Sequence, residues 1–321
     1  MQHIKQPIGK EFEVFKQTFD ASLQSNNPLL KEVITYIKQR NGKMMRPALV
    51  LLMAKIYGEI GDSTYHAACA LELLHTASLI HDDVVDESDK RRGQKSVNAL
   101  YDNKVSVLVG DYLLATSLKE ASLTNHIQIV NLVALLGQHL SEGEIVQLSN
   151  ISASDFSEDV YFEVIRKKTA ALFAACAEAG VRSVCVSDEK AANAYLFGEL
   201  IGIAFQIKDD IFDYFSSDSI GKPTGNDLRE GKLTLPALYV LNQKADDSLR
   251  EQALRIRSLE ASAEEIGRFI AYVKENGGIE YAQKVMMDYR ERALSLLPSD
   301  IPSELNKALV TYIDYVINRI K

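Results

Sequence analysis

Apolar residues recur at helical spacing along most of the chain, and the alternation of apolar and polar residues that marks a strand is absent. Asn27 and Pro28 are residue types favoured at an N-cap and at the first helical position, so a helix is predicted to begin there and to end near Gly42. A second helix is predicted from about Pro47. A third, over residues 63–85, is apolar around most of its circumference. We therefore expect a central helix that is enclosed by others.

The rest of the chain continues the helical pattern. None of the seven prolines lies between Pro47 and Pro223, so long helices can run there without interruption. Further helices are predicted over residues 105–121, 126–148, 158–183, 188–215 and 235–243, followed by amphipathic helices up to residue 321. No internal repeat or change of composition marks a domain boundary. The pattern predicts an all-α protein with a single domain over residues 1–321.

The composition is that of an ordinary globular protein. Hydrophobic residues make up 46% of the chain and charged residues 25%, which argues against disorder. The net charge of −8 argues against a nucleic-acid partner, because binding to a phosphate backbone depends on clustered Lys and Arg. If this protein binds an anion, it must do so at a local group of basic residues.

The cysteines and the N-terminal segment bear on the compartment. Cys69, Cys176 and Cys185 form no CxxC pair and lie among apolar or small residues, which is typical of reduced, packed thiols. The first residues lack the apolar core of a signal peptide, and no run reaches the roughly 18 apolar residues of a spanning helix. We expect a cytoplasmic protein without a transmembrane segment.

An acidic motif ends the predicted central helix. In His81-Asp82-Asp83-Val84-Val85-Asp86, four positions separate Asp82 from Asp86, so both lie on one helix face, with Asp83 about a quarter-turn away. Like charges at this spacing repel each other, and desolvation at the end of an apolar helix raises that cost unless cations are present. A divalent metal would remove the repulsion.

The motif occurs a second time, as Lys208-Asp209-Asp210-Ile211-Phe212-Asp213, on another apolar helix. A single copy is more simply explained as an acidic helix end that runs into solvent, whereas two copies on two apolar helices favour metal binding. Magnesium is the best candidate, because it prefers oxygen ligands and usually binds through one or two carboxylates together with substrate phosphates. Zinc would lack its usual His and Cys ligands here.

Basic residues follow both acidic motifs. Arg91-Arg92-Gly93 comes after the first, and residues 221–227 and Gly231-Lys232 come after the second. Arginine forks and lysine point charges both suit diphosphate oxygens, although exposed Lys and Arg more often serve solubility. The sequence thus indicates a magnesium-diphosphate site.

Between about residues 41 and 232, the chain resembles the trans-type isoprenyl diphosphate synthases of the polyprenyl synthetase family. The resemblance rests on Gly42-Lys43 with Arg46, on both acidic motifs, on Arg91-Arg92-Gly93, on Gly110-Asp111-Tyr112-Leu113-Leu114-Ala115, on Glu142-Gly143-Glu144, on Lys167-Lys168-Thr169-Ala170, on Gln206 and on the loop of residues 221–232. One departure is that Asn41 stands where the family often has glycine, which weakens the expectation for the conformation of that loop.

The resemblance implies a helical bundle around a deep central cavity, where three magnesium ions join the acidic motifs to an allylic diphosphate. It implies that Asp82, Asp86 and Asp209 bind metal directly, and that Asp83, Asp210 and Asp213 support the metals through water or hydrogen bonds. Arg91, Lys168, Lys222 and Lys232 would hold the allylic diphosphate, with Thr169 and Gln206 beside the reacting carbons. Lys43, Arg46, His75 and Arg92 would hold isopentenyl diphosphate.

The reaction that the resemblance implies is trans chain elongation, with Lys168, Thr169 and Gln206 as catalytic residues. The allylic diphosphate ionises, and the double bond of isopentenyl diphosphate attacks the carbocation. Positioning replaces an enzyme nucleophile, which agrees with the lack of any nucleophile-base motif. The departing diphosphate is the expected base, and apolar walls would keep water from the cation. The family also implies a homodimer whose product is delivered to a membrane.

Small residues precede the first acidic motif. Ala77 and Ser78 lie about one helical turn before Asp82, and their side chains are too small to block a tunnel beside the helix. In the resembling family, bulky aromatic residues here stop growth early, and small ones allow long chains. We therefore expect a long-chain product of the kind used as quinone side chains. Close helix packing is the alternative explanation for these two residues.

Other functions stay open at this point. A short-chain farnesyl or geranylgeranyl diphosphate synthase would share most of the motifs. A class I terpene cyclase usually carries a different second motif, with Asn, Ser and Glu ligands. A regulatory subunit of a heteromeric synthase, or a lipid-carrying helical bundle, is expected to have lost Asp or Arg positions that this chain keeps.

Overall fold

The computed structural model describes residues 2–39, 42–91, 93–149, 156–184, 187–215, 224–244 and 246–318. In these ranges the chain is helical apart from turns, connections and one small hairpin, so the all-α prediction is confirmed. None of the described helices is both long enough and apolar enough to cross a bilayer.

The helices, in chain order, are α1 (Gln2–Lys5), α2 (Gly9–Ser22), α3 (Pro28–Gln39), α4 (Met45–Tyr57), α5 (Asp62–Val85), α6 (Val97–Tyr101), α7 (Asn103–Leu123), α8 (Ile127–Ser149), α9 (Glu158–Ile165), α10 (Ala171–Arg182), α11 (Asp188–Asp213), α12 (Asn226–Arg229), α13 (Leu235–Lys244), α14 (Asp247–Arg257), α15 (Ala263–Glu275), α16 (Gly278–Ser295) and α17 (Ser303–Asn318). A 3-10 turn covers Gln6–Ile8, and a π-helical turn covers Arg166–Ala170.

The pattern predicted the long helices well and the short elements poorly. As predicted, α3 begins after Asn27, whose side-chain oxygen accepts the backbone N–H of Leu30 at 3.1 Å. The sequence showed no strand pattern, but β1 (Lys90–Arg91) and β2 (Gln94–Lys95) form an antiparallel hairpin. Two-residue strands are too short to produce an alternating pattern.

The chain forms two compact units. The first comprises Met1–Gln138, Leu172–Gly198 and Pro298–Thr311, and the second comprises His139–Ala171, Glu199–Leu297 and Tyr312–Lys321. The prediction of one domain over residues 1–321 stays a prediction.

In the first unit, α5 is the central helix that the sequence predicted. It packs against α2, α4, α6 and α7, and its middle turns are almost fully buried. On α10, a side chain at Gly180 would place its Cβ 2.3 Å from the carbonyl oxygen of Val50, so glycine allows α10 to lie directly on α4.

In the second unit, α13 packs against α9, α15 and α16. The part of α11 from Glu199 onward lies against the π-helical turn. A Cβ at Gly202 would lie 2.5 Å from the Cα of Ala170, so this close approach also requires glycine.

Candidate active site

The first acidic motif lies at the end of α5, in the first unit. The helix ends at Val85, and the N–H of Asp86 donates to the carbonyl oxygen of Asp82 at 2.8 Å. Asp86 thereby keeps its helical spacing from Asp82, as predicted. Asp82 is half-buried and Asp86 is exposed, so both carboxylates are accessible to a ligand from solvent.

Asp83, in contrast, is an internal residue. Its side chain is buried, and Arg91 donates from Nε to Asp83 Oδ1 at 2.6 Å. The hairpin formed by β1 and β2 carries Arg91 back onto the end of α5. Asn98 donates to the Asp83 carbonyl oxygen at 3.2 Å. Asp83 therefore fits the supporting role better than that of a direct metal ligand.

Close packing against α5 requires glycine at position 110, in the Gly110-Asp111-Tyr112 segment. A Cβ at Gly110 would lie 2.1 Å from Nε2 of His81, the residue that precedes the acidic motif. His81 Nε2 lies 3.3 Å from the carbonyl oxygen of Val107 and 3.5 Å from Asp111 Oδ1. Glycine thus lets α7 pass close to the start of the motif.

Three of the four residues predicted to hold isopentenyl diphosphate lie on or beside α4 and α5, namely Lys43, Arg46 and His75. Arg46 stacks over the ring of Phe173, with 5.4 Å between the guanidinium carbon and the ring centroid, and its buried Nε makes no hydrogen bond within the protein. Such a buried donor suits an anionic ligand. His75 is half-buried on α5, and Lys43 is exposed before α4. Arg92 lies outside the described residues.

The second acidic motif ends α11, in the second unit. Asp210 is buried, and it accepts hydrogen bonds from Tyr161 Oη at 2.6 Å and from Gln206 Nε2 at 2.8 Å. Burial raises the pKa of the Asp210 carboxyl well above its usual range, and the negative charge of Asp227 adds to this effect, while the two hydrogen bonds oppose it.

Asp213 anchors the chain that follows the motif. Its two carboxylate oxygens accept the backbone N–H groups of Asn226 and Asp227, at 3.0 and 2.9 Å. Its carbonyl oxygen accepts the N–H of Gly225 at 2.8 Å. Asp213 therefore positions the start of α12. Asp209 is half-buried on α11.

A hydrogen-bonded chain joins this motif to the residues predicted beside the reacting carbons. Thr169 donates from Oγ1 to Gln206 Oε1 at 2.7 Å, and the amide nitrogen of Gln206 donates to Asp210. Because Asp210 takes the amide N–H, the carbonyl end of Gln206 must face Thr169. The side chains of Thr169, Gln206 and Asp210 are thus oriented together.

These residues line one cavity of about 270 Å³ in the second unit. Of the residues predicted from the sequence, the cavity brings together Lys168, Thr169, Gln206, Asp210 and Lys232. Lys232 is half-buried, and its backbone N–H donates to the carbonyl oxygen of Asp227 at 2.8 Å. Lys222 lies outside the described residues.

A π-helical turn carries two of the cavity residues. The sequence predicted a helical pattern over residues 158–183, and within that range the π-helical turn Arg166–Ala170 joins α9 to α10. The turn contains Lys168 and Thr169. Single π-helical turns often occur at functional sites, and periodicity alone does not reveal them.

The positions predicted to set chain length lie one turn before the first motif. Ala77 is buried, and Ser78 is half-buried, with its hydroxyl donating to the carbonyl oxygen of His75 at 2.9 Å. Both side chains are small, and that of Ser78 folds back onto its own helix.

The carboxylates fit magnesium rather than a metal held by the protein alone. Among the residues that the structure describes, no three His, Cys, Asp or Glu side chains converge as a metal cage. Magnesium needs no such cage, since it binds through one or two carboxylates, substrate phosphates and water. Asp82 and Asp86 in the first unit, and Asp209 in the second, each carry an exposed or half-buried carboxylate of the kind that magnesium binds.

Several residues of this site were not predicted from the sequence. Gln147, Tyr161 and Asp227 also line the cavity. Gln147 could have been found, because it follows Glu144 by three residues and so shares its helix face. Tyr161 gave no signal, because its role depends on the fold bringing α9 beside Asp210.

Comparison with known proteins identifies the family. The family model described as polyprenyl synthetase matches residues 27–273. The chain is 34% identical over 313 residues to the octaprenyl diphosphate synthase of Haemophilus influenzae, covering 96% of this chain and 94% of that protein.

Solved structures of prenyl diphosphate synthases are also similar to this chain. The crystal structure of geranylgeranyl pyrophosphate synthase from Bacteroides thetaiotaomicron is 55% identical, covers 99% of both chains and has a TM-score of 0.87. A decaprenyl diphosphate synthase from Rhodobacter capsulatus is 34% identical, with a TM-score of 0.91 and coverage of 99% of this chain and 98% of that one. With its family match over more than half its length and its acidic motifs in place, the chain belongs to the polyprenyl synthetase family of prenyltransferases.

Proposed function

We propose that this protein is a magnesium-dependent trans-polyprenyl diphosphate synthase, which lengthens an allylic diphosphate by adding isopentenyl diphosphate. The observation that carries the proposal is the cavity that collects Lys168, Thr169, Gln206, Asp210 and Lys232. Two ammonium groups, a Thr-Gln pair and an acidic-motif residue at one cavity suit a diphosphate leaving group beside a developing cation.

We assign two different roles to the six aspartates of the acidic motifs. Asp83, Asp210 and Asp213 already accept hydrogen bonds from protein donors. This supports their role in holding the motifs in shape. The accessible or half-buried carboxylates of Asp82, Asp86 and Asp209 would hold magnesium, with three ions expected. Bound magnesium would neutralise the negative charge that develops on the departing diphosphate.

The protein's own residues then position the reactants. Lys168 and Lys232 bind the allylic diphosphate, and Arg91 holds the first acidic motif through Asp83. Arg46 and His75 bind isopentenyl diphosphate, whose double bond attacks the allylic cation. Thr169 and Gln206 present oriented polar atoms beside the cation. No enzyme nucleophile is needed, because positioning lowers the barrier to carbon-carbon bond formation.

The product we propose is a long-chain polyprenyl diphosphate. The small side chains of Ala77 and Ser78 support it. So do the names of relatives that make octaprenyl and decaprenyl diphosphate. The relative from Bacteroides thetaiotaomicron, at 55% identity, is named a geranylgeranyl pyrophosphate synthase, so a short product is the competing proposal.

We also propose a homodimer, in a cytoplasmic setting from which the product passes to a membrane. The support is the exposed apolar side chains on one side of α7, such as Leu108 and Leu118. A self-paired contact would bury them. If Leu108→Glu leaves the sedimentation coefficient unchanged, α7 is not the dimer contact.

Incubation of the purified protein with isopentenyl diphosphate, magnesium and each allylic primer, followed by sizing of the products, tests the proposed activity. We expect magnesium-dependent elongation to long linear products. Products that stop at geranylgeranyl diphosphate would replace the long-chain proposal with the short-chain one. Cyclic products would indicate a terpene cyclase, and no elongation with any primer would refute the synthase.

A further inference from the structure

Lys168 is held at the cavity by two side chains of α8. Its ammonium group contacts Glu144 Oε2 and donates to Gln147 Oε1 at 3.0 Å. Gln147 in turn donates from Nε2 toward Glu144 Oε1 at 3.4 Å. The three side chains close a ring in which each group has a defined orientation, because Gln147 can only accept from Lys168 with its carbonyl end.

From this ring we propose that Glu144 is a positioning residue for the reaction: it holds the Lys168 ammonium group where it meets the allylic diphosphate. The inference rests on the proposed function, because it takes Lys168 as a diphosphate ligand. An ammonium group has three N–H donors. Glu144 and Gln147 take two of them, which leaves the third for a phosphate oxygen.

The backbone around the ring is built for this contact. A Cβ at Gly143 would lie 2.8 Å from Lys168 Cγ and 3.1 Å from the Lys168 backbone nitrogen, so α8 can approach the π-helical turn only with glycine there. Glu144 follows this glycine directly. The close approach of α8 and the π-helical turn together bring the Lys168 ammonium group into contact with Glu144. Without them, the lysine side chain would extend into solvent.

The neighbouring ion pair between Glu142 and Lys167 is an ordinary surface pair that joins the same two segments. Glu142 lies 3.3 Å from Lys167, but its side chain is 57% exposed, whereas that of Glu144 is 20% exposed. Lys167 also pairs with Glu163 at 3.0 Å. Exposed pairs contribute little, so Glu142 is a matched control on the same helix.

The sign of the electrostatic effect makes the proposal testable. Glu144 is an anion beside a site for an anion, so its removal should strengthen diphosphate binding if only charge mattered. If Glu144 positions Lys168, its removal should weaken binding instead. Glu144→Gln keeps an acceptor oxygen in place and should recover most of the wild-type affinity.

Calorimetric binding of inorganic pyrophosphate with magnesium is the direct test. We expect Glu144→Ala to weaken binding about fivefold and to lower kcat/KM for the allylic substrate to a similar degree. KM for isopentenyl diphosphate and the affinity of Glu142→Ala should both stay within about twofold of the wild type. In a Lys168→Ala background, Glu144→Ala should no longer weaken pyrophosphate binding, because the partner that Glu144 positions is already absent.

Equal or tighter pyrophosphate binding by Glu144→Ala would overturn the proposal. A loss of affinity on Glu144→Ala that persists in the Lys168→Ala background would also overturn it, since Glu144 would then not act through Lys168. The binding measurements need no turnover. A wild type that binds pyrophosphate and shows this coupling, yet elongates no primer, would refute the synthase and leave the positioning role of Glu144 in place.

Discussion

Arg91 and Asp83 form an ion pair that ties the β1–β2 hairpin to the end of α5, with 2.6 Å between Nε and Oδ1. A basic residue expected to bind substrate therefore also holds a buried member of the first acidic motif. Breaking a buried pair by removing one charge leaves the other uncompensated, which is costly. The structural and metal-binding parts of the motif should thus separate experimentally.

Asp83→Asn is expected to lower the free energy of unfolding by about 1–3 kcal/mol. The substitution removes the buried negative charge that pairs with Arg91 and leaves the guanidinium group without its charged partner. Asp86→Asn, at an exposed position, should stay within about 0.5 kcal/mol of the wild type and yet reduce elongation strongly. Urea unfolding without magnesium and product formation across magnesium concentrations measure the two effects. Equal destabilisation by both variants would contradict this division.

Tyr161→Phe removes the phenol that donates to Asp210 inside the protein. Asp210 is 3% exposed, so its carboxylate oxygen loses a partner at a largely buried position, and we expect a loss of about 1–3 kcal/mol of stability. Because Asp210 also orients Gln206, and Gln206 receives the hydroxyl of Thr169, kcat should fall about tenfold through small misplacement of the pair. Thermal unfolding and initial elongation rates test both expectations.

Tyr281→Phe is the matched control. Tyr281 donates to Glu158 at 2.8 Å, in the same unit but outside the hydrogen-bonded chain of the cavity. Its removal should cost stability without lowering kcat. If both phenylalanine variants slow elongation equally, the chain from Tyr161 to Thr169 has no special role.

Much of the fold could be predicted because long amphipathic or apolar helices leave a strong periodic signal. The helix predicted over residues 63–85 is α5 to within one residue at its start. The hairpin at Lys90–Arg91 and the helix α12 were missed because elements of two to four residues are decided by tertiary contacts. For α12, those contacts are the carboxylate of Asp213 and two backbone N–H groups.

The residue types of the site could be predicted from the sequence, but most of the side-chain contacts between them could not. The acidic motifs and Lys168-Thr169 are local patterns, so they can be read from the chain. The contact of Tyr161 with Asp210 joins positions 49 residues apart, and the ring of Glu144, Gln147 and Lys168 depends on a π-helical turn. Neither follows from spacing along the sequence.

Gly143→Ala should destabilise the protein by about 1–3 kcal/mol, because the new methyl group would meet the Lys168 side chain and backbone at overlapping distances. The shift should also raise KM for the allylic substrate. Gly137→Ala, on the same helix, meets only one atom at 4.0 Å and should gain up to about 1 kcal/mol from helix propensity. Chemical unfolding of both variants tests this, and a harmless Gly143→Ala would contradict the packing argument.

Acid stability should depend on Glu265, which closes the capping box of α15 with Ser262. The backbone N–H of Ser262 and the side chain of Arg255 lower the pKa of Glu265 to about 2. Because this pKa is depressed on folding, the ionised group stabilises the fold above the usual pKa of 4.5, and this contribution is lost as pH falls through about 2. E265Q should therefore lower the urea midpoint at neutral pH and differ less from the wild type near about pH 3. A gap that is constant with pH would show that the charge is irrelevant.

The length of the product is the final prediction, and it addresses the difference between the relatives named for geranylgeranyl and for longer products. Ala77 lies about one helical turn before Asp82, so a large side chain there would narrow any tunnel that runs along α5 from the metal site. Ala77→Tyr should shift the products to shorter chains, whereas Ala77→Ser, which adds little volume, should leave them unchanged. Because Ala77 is buried, thermal unfolding must show that the tyrosine variant is folded. A folded Ala77→Tyr protein with the wild-type product distribution would show that α5 does not set the length.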